Sequence, residues 1–209
     1  MTTSTAIANR RRLHAALVAT ALMATSPAAM AIIRCGFSAP VIPVPNSADG
    51  VYINFLNGDT GSSGATVPGW DFNPYNNGSG MTFFAPLTAP PAVPLPQGIL
   101  STGTPGTTAE ARVLLSGDMV TPTPAIGFYN TGITQATNFR SSGVRFLGLR
   151  FYHEANDTMI YGWAEIEAGA GSGNDAGFPA TVSRFCYEDS GLPIAVGTLP
   201  VSLQTFSID

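Results

Sequence analysis

The stretch VRFLGLRFYHEANDTMIYGWAEIEA, residues 144–168, decides the fold, because apolar and polar side chains alternate along both of its halves. Alternation with a period of two is typical of β-strands, in which successive side chains point to opposite faces of a sheet. The polar segment Glu154–Thr158 between the two halves favours a turn. The stretch is therefore predicted to form a β-hairpin of the kind found in β-sandwiches. Its apolar face carries Leu147, Leu149, Phe151, Ile160, Ala164 and Ile166, and its other face carries Arg150, Tyr152, Tyr161, Trp163, Glu165 and Glu167.

The remainder of the chain repeats this pattern of short apolar runs between glycine-rich and proline-rich turns. Predicted strands are Val51–Leu56, Met81–Phe84, Ala111–Leu115, Ile126–Tyr129, Thr181–Tyr187 and one that begins at Pro193. Loops are predicted for Ala85–Gln97, which holds five prolines, and for Gly169–Gly177. Many short strands, with helical periodicity nearly absent, predict an all-β fold, a single β-sandwich or jelly-roll-like domain over residues 32–209.

The first 31 residues are predicted to be a cleaved secretory signal peptide. Three arginines, Arg10–Arg12, precede an apolar run over Leu13–Ala24, and Ala29-Met30-Ala31 supplies small residues at a cleavage site. This apolar run is too short to serve as a membrane anchor, and no later run is long enough. We therefore expect a secreted or periplasmic bacterial protein without a membrane anchor.

The charge balance of residues 32–209 excludes some partners. This part holds six arginines, no lysine and thirteen acidic residues, which gives a net charge of −7. Nucleic acids and anionic membranes require a basic surface, so neither is an expected partner.

Two cysteines, Cys35 and Cys186, both follow the signal sequence. An even count in an oxidising compartment predicts one disulfide, which would tie the start of the domain to a strand near its end. Two buried free thiols are the alternative.

Several aromatic and acidic residues are candidates for ligand binding. Trp70, Asp71, Tyr75 and Trp163 combine rings that stack on sugars with a carboxylate, so carbohydrate is the favoured ligand. For the two tryptophans, core packing is the preferred interpretation and ligand binding is the alternative.

No residue is assigned a catalytic role. Asp59-Thr60-Gly61-Ser62-Ser63 matches the signature of pepsin-like aspartic proteases, and Asp189-Ser190-Gly191 offers a second triplet. Such enzymes need two lobes and about twice this length, so a glycine-rich turn is the preferred interpretation of Asp59. His153 has no nucleophile motif near it in sequence, and no metal-binding motif is present, although loops could hold a structural calcium ion.

Two segments resemble a group of secreted bacterial β-sandwich proteins related to those that carry a PEP-CTERM sorting tail. The first comprises residues 51–54 and 68–75, and the second comprises 161–166, 185–189 and 192–197. The resemblance implies a strand carrying Tyr161-Gly162-Trp163 and a closing strand after it. No Pro-Glu-Pro sorting motif follows these segments, so anchoring is not implied.

Together these features predict an exported, non-catalytic binding or structural module. Its expected partner is a carbohydrate or another envelope or extracellular protein. Two alternatives stay open: a secreted hydrolase that uses Asp59 with Asp189, and a subunit of a surface assembly whose exposed edge strands pair with one another.

Overall fold

A computed structural model describes residues 32–87 and 97–200, without the side chains of residues 37–40. The predicted signal peptide and most of the predicted Ala85–Gln97 loop lie outside the described residues. The described part contains fifteen β-strands and two short 3-10 helices and no α-helix, so the all-β prediction is confirmed. None of its helices has the length and apolar character needed to span a bilayer.

The strands, numbered in chain order, are β1 Ile33–Val44, β2 Tyr52–Ile53, β3 Thr60–Gly61, β4 Asn73–Asn76, β5 Met81–Ala85, β6 Gly98–Thr102, β7 Glu110–Ala111, β8 Val113–Leu114, β9 Met119–Val120, β10 Phe128–Asn130, β11 Gly132–Gln135, β12 Gly143–His153, β13 Thr158–Ala168, β14 Ala180–Glu188 and β15 Ile194–Ala195. The 3-10 helices span Thr137–Phe139 and Gly173–Asp175.

Eleven strands form one sheet, in the order β1-β14-β13-β12-β6-β7-β11-β5-β4, with β10 added beside β6 and β8 beside β12. All of its pairings are antiparallel except the single parallel pair β7–β11. The hairpin predicted for residues 144–168 is β12–β13, paired without interruption from Gly143–Ala168 to His153–Thr158. Two small sheets, β2–β3 and β9–β15, complete the architecture.

The main core lies between the two ends of this sheet, which curls into a sandwich. Phe151 and Phe185 come from β12 and β14 at one end, and Phe83 comes from β5 at the other. Phe55 connects the two halves, because its ring lies 4.6 Å from that of Phe185 and 6.0 Å from that of Phe72. Burial of such large apolar side chains is the main force that holds the two halves together.

Most of the second face of the hairpin is also buried: Arg150, Tyr152, Tyr161 and Trp163 are buried, whereas Glu167 is exposed. A second cluster there contains Leu100, Leu114, Val120, Tyr129, Tyr161, Trp163, Cys186, Ile194 and Val196. Segments around β9 and β15 cover this face. The centre of the sheet therefore has apolar packing on both sides.

The disulfide between Cys35 and Cys186 is present, as predicted. The two cysteines are directly opposite each other in the β1–β14 pair. The strand that carries Cys35 was not predicted, because it contains Pro40 and Pro43. Prolines are tolerated at the edge of a sheet, which is the position that β1 occupies.

Two predicted strands are shorter or interrupted in the structure. The run Val51–Leu56 pairs only over Tyr52–Ile53, because the Asn54 side chain accepts hydrogen bonds from the backbone of Leu56 and Asn57 and starts a turn. The strand predicted for Ala111–Leu115 is interrupted at Arg112. Before this residue the chain pairs with β6, and after it the chain pairs with β12.

Candidate functional site

The outer face of β4, β5 and β11 carries a group of half-buried aromatic side chains. Phe84 of β5 lies opposite Asn73 of β4 and Ile133 of β11 in one row across the three strands. Tyr75 lies opposite Thr82 in the next row on the same face. The alternate residues, such as Phe83, point into the core. Because the strands are antiparallel and in register, side chains from distant parts of the sequence meet on this face.

Trp70 and Tyr52 extend this face beyond the strands. The Trp70 ring stacks on Phe84 at a centroid distance of 5.5 Å, and Tyr52 meets the Trp70 ring edge-on at 4.9 Å. Both geometries are favourable for aromatic pairs. We call Tyr52, Trp70, Tyr75 and Phe84 the aromatic surface.

A tight turn places Trp70 on this surface. The backbone N–H of Trp70 donates to the carbonyl of Val67 across Pro68 and Gly69, with Gly69 at a φ of +68°. Proline followed by a glycine of positive φ is the sequence pattern of a type II turn. A Cβ at Gly64 would lie 2.5 Å from Nε1 of Trp70, so only a glycine allows the ring its position.

A shallow cavity of about 170 Å³ lies next to these rings. Its lining residues are Ala48, Tyr52, Asn73, Tyr75, Phe84 and Ile133. Burial raises the pKa of the Tyr75 hydroxyl, so this group stays protonated and can donate a hydrogen bond. The surface thus offers flat rings together with a hydroxyl group that can donate a hydrogen bond.

The four residues predicted to bind ligand do not form one site. Trp70 and Tyr75 both belong to the aromatic surface, whereas Asp71 is 3% exposed and Trp163 is completely buried. Tyr52 and Phe84 were not predicted as site residues. The predicted strand Met81–Phe84 places Phe83 and Phe84 on opposite faces of a sheet, which could have indicated that one of them is at the surface. The sequence does not show which strands lie beside this one.

Asp71 lies in the interior beneath this region. One of its carboxylate oxygens, Oδ2, accepts a hydrogen bond of 2.8 Å from the backbone N–H of Phe55, and Oδ1 is buried without a partner among the described residues. Burial raises the pKa of Asp71 well above its ordinary value, and the nearby Glu154 carboxylate adds to this effect. Its burial and its hydrogen bond from Phe55 suit a structural role in the interior, not a ligand contact.

Replacing Asp71 with asparagine should alter how stability depends on pH. The folded protein holds the Asp71 proton more tightly than the unfolded chain does. The protonated carboxyl group therefore makes its full contribution to the free energy of unfolding below the ordinary aspartate pKa. This contribution is lost as the pH rises to the pKa that Asp71 has in the folded protein. In the wild type the loss amounts to about 1.4 kcal/mol for each pH unit between the two pKa values. Asp71→Asn keeps the shape without the titration, so its stability relative to wild type should increase with pH.

The measurement is urea unfolding at a series of pH values from acidic to slightly alkaline. Asp59→Asn is the matched control, because Asp59 is an exposed aspartate in the neighbouring loop. A stability difference between Asp71→Asn and wild type that stays constant with pH would contradict the prediction.

Trp163 lies on the opposite side of the sheet from the main core, in the second cluster. Phe146 meets its ring edge-on at 5.5 Å, and the guanidinium of Arg184 lies 5.8 Å from the ring centroid. Arg184 is held in place by an ion pair of 2.7 Å with Glu165. Of the two interpretations of this tryptophan, the structure supports core packing.

Asp59 and Asp189 have separate partners. The Asp59 carboxylate accepts a hydrogen bond from the Asn57 side chain in its own turn, and the Asp189 carboxylate forms an ion pair of 2.9 Å with Arg34. An aspartic dyad needs two carboxyl groups close enough to share one proton. Within residues 32–87 and 97–200 no hydrogen bond joins these two, so they do not have that arrangement here.

In the part of the chain that the structure describes, no three histidine, cysteine, aspartate or glutamate side chains lie together as potential metal ligands.

Comparison with known proteins found no protein-family model, no curated protein and no solved structure that matches this chain.

Proposed function

We propose that the protein is an exported, non-catalytic module that binds carbohydrate through its aromatic surface. The observation that carries this proposal is the packing of Trp70 against Phe84 and Tyr52 on the outside of the sheet. Large aromatic side chains normally pack in the core, so a group of them on one surface favours a binding role.

The chemistry of the surface suits sugars. The apolar C–H face of a sugar ring packs on an aromatic ring, while the hydroxyl groups need hydrogen-bonding partners, which Tyr52 and Tyr75 can supply. The cavity of about 170 Å³ is smaller than the range of about 300–1,000 Å³ in which small ligands are enclosed. A shallow surface of this kind suits the exposed units of a polysaccharide better than an enclosed small molecule.

The sequence and the disulfide support an extracytoplasmic location. Disulfides persist in oxidising compartments, and the Cys35–Cys186 bridge fits export through the signal sequence predicted for residues 1–31. The excess of acidic residues disfavours nucleic acid and anionic membranes as partners. We extend the proposal to a relationship with the secreted β-sandwich proteins of the PEP-CTERM group, on the segments given above.

Replacing Trp70 with alanine should strongly weaken carbohydrate binding while the fold is retained. The substitution removes the ring that packs against both Phe84 and Tyr52, and with it the largest flat face of the aromatic surface, so affinity should fall at least about tenfold, or 1.4 kcal/mol. Since Trp70 is only half-buried, the loss of stability should stay near or below about 2 kcal/mol. The measurement is binding to a panel of soluble and insoluble polysaccharides, by affinity electrophoresis and pull-down.

Leu115→Ala is the matched control, because Leu115 is an apolar side chain that is 70% exposed and does not belong to the aromatic surface. It should bind as wild type does. Equal binding by Trp70→Ala and wild type, or no binding by wild type to any polysaccharide in the panel, would overturn the proposal.

A further inference from the structure

The row of side chains next to the aromatic rings is polar. Tyr75 of β4, Thr82 of β5 and Gln135 of β11 lie opposite one another across the three strands. Phe84 lies two residues from Thr82 on the same face of the sheet, and two residues of an antiparallel strand span about 6.8 Å. A ligand that packs on the Phe84 ring therefore presents one of its edges to this polar row.

Arg140 supplies a positive charge to the polar row. Its guanidinium reaches the outer face of the sheet, where Nη2 lies 3.4 Å from Oγ1 of Thr82 and 3.4 Å from Oε1 of Gln135. Nε donates a hydrogen bond of 3.0 Å to the carbonyl of Met81. Gly80 leaves room for the side chain, because a Cβ there would lie only 3.2 Å from Cδ of Arg140. The guanidinium is therefore held at a defined place beside the aromatic surface.

No ion pair neutralises the charge of Arg140. In the described part of the chain, Arg34 and Arg184 form ion pairs with carboxylates, and Arg140 forms none. The hydrogen bonds of Arg140 to described residues use Nε and Nη2, so the two N–H groups of Nη1 are available to a ligand. Carboxylate and sulfate oxygens are the acceptors that a guanidinium binds most strongly, because these hydrogen bonds are charge-assisted.

Two acidic residues flank this face of the sheet. Glu110 of β7 lies opposite Gln135, on the side away from β5, and its carboxylate accepts a hydrogen bond from a backbone N–H. Asp49 lies beyond the β4 edge, where its backbone carbonyl accepts a hydrogen bond from the Asn73 side chain. These acids and the acidic net charge of the chain oppose a polymer that is held by charge alone. The surface instead suits a ligand that combines an apolar ring face with an anionic group at Arg140.

We propose that the sugar bound by the aromatic surface is anionic, and that Arg140 binds its carboxylate or sulfate group. This inference rests on the proposed function, because it names the class of polysaccharide that the same surface binds. Trp70 and Phe84 pack on the sugar ring, and Tyr75 donates a hydrogen bond to a sugar hydroxyl. Gln135 directs Oε1 at Arg140, which leaves its amide NH2 as a further donor.

The test compares polysaccharides that share a backbone and differ in charge. Polygalacturonate is paired with its methyl ester, and dextran sulfate is paired with dextran. Binding to the wild-type protein is measured by affinity electrophoresis and calorimetry. Wild type should bind the anionic member of a pair at least about threefold more tightly than the neutral member, which is the scale of an exposed ion pair. The pair that shows this difference identifies the anionic group as carboxylate or sulfate.

Arg140→Gln should lower affinity for the anionic member at least about threefold and so remove the preference. Arg112→Gln is the matched control. It removes the same charge from a guanidinium that donates to the Ile126 carbonyl and does not contact the aromatic surface. This control should keep the preference of wild type. Urea unfolding of both variants reports that they are folded.

A second measurement needs no variant. Raising the salt concentration from about 0.1 M to about 1 M shortens the screening length from about 10 Å to about 3 Å. The preference of wild type for the anionic member should therefore decrease, because an exposed charge pair is screened while ring packing is not. A preference that is independent of salt would contradict a role for the Arg140 charge.

Three further results would overturn the inference, and they can be distinguished. Equal binding of both members of each pair by wild type would leave the carbohydrate function in place and exclude the anionic preference. A full preference in folded Arg140→Gln would assign the anionic group to another residue. Absence of binding to every polysaccharide would overturn the proposed function and this inference with it.

Discussion

Removing the disulfide, by replacing both Cys35 and Cys186 with alanine, should lower the free energy of unfolding by about 3–5 kcal/mol. The bridge joins positions 151 residues apart, and in the chain-entropy model the closure of so long a loop restricts the unfolded state by about 5 kcal/mol. It also holds β1 at the edge of the sheet, where β14 is its one neighbour among the described strands. A loss of this size is a large fraction of the stability of a typical domain.

The measurement is urea unfolding of the oxidised wild type and of the double variant. Their midpoints can be compared directly if the free energy of unfolding depends on urea concentration with the same slope in both proteins. Reduced wild-type protein is the control, because it retains both sulfur atoms and lacks only the bond between them. If the covalent link is responsible, reduction should reproduce most of the loss. A double variant that unfolds at the same urea midpoint as oxidised wild type would contradict the prediction. If the double variant is destabilised and reduced wild type is not, the effect comes from the packing of Cys186 and not from the covalent bond.

The hairpin β12–β13 was predictable because its information is local. Alternation over residues 144–168 specifies two strands and their faces, and the polar turn specifies their pairing. The disulfide was predictable by counting, since two cysteines in an exported chain allow only one bridge. Neither inference required knowledge of which distant segments pack together.

The burial of Trp163 depends on distant segments. Alternation assigns a residue to a face, but it does not say what covers that face. The cover here includes β9 and β15, each only two residues long, whose sequences give hardly any strand signal. The sequence therefore favours core packing for a large aromatic residue only in general, and it does not show which of the two tryptophans is buried.

The aromatic surface was predictable in part for a related reason. Trp70 and Tyr75 follow a turn signal and stand out by residue type. Phe84 and Tyr52 join them only because β5 pairs with β4, and because the turn at Pro68 and Gly69 returns the chain to this face. Strand order in a sheet is a non-local property, and one sequence gives little information about it.

Replacing Trp163 with alanine should lower the free energy of unfolding by about 3–5 kcal/mol, the range for truncation of a fully buried aromatic side chain. The ring is completely buried and packs against Phe146, and Cys186 lies opposite it on the neighbouring strand. Its removal would leave a cavity beside the disulfide that the strands of a continuous sheet cannot close. Urea unfolding measures the loss, and Trp163→Phe, which retains most of the apolar volume, should lose clearly less.

The comparison of Trp163→Ala with Trp70→Ala separates a structural tryptophan from a binding tryptophan. If both assignments are correct, the two variants have contrasting effects: Trp163→Ala is strongly destabilised but binds polysaccharide normally while folded, and Trp70→Ala loses clearly less stability but binds at least about tenfold more weakly. A Trp163→Ala protein with wild-type stability and weakened binding would reverse the assignment, since a residue that contributes only to binding can be truncated without opening a cavity in the core. Because both variants remove the same side chain from the same protein, differences in ring chemistry cannot account for the contrast. Only the surroundings of the two rings differ, and these are what the structure describes.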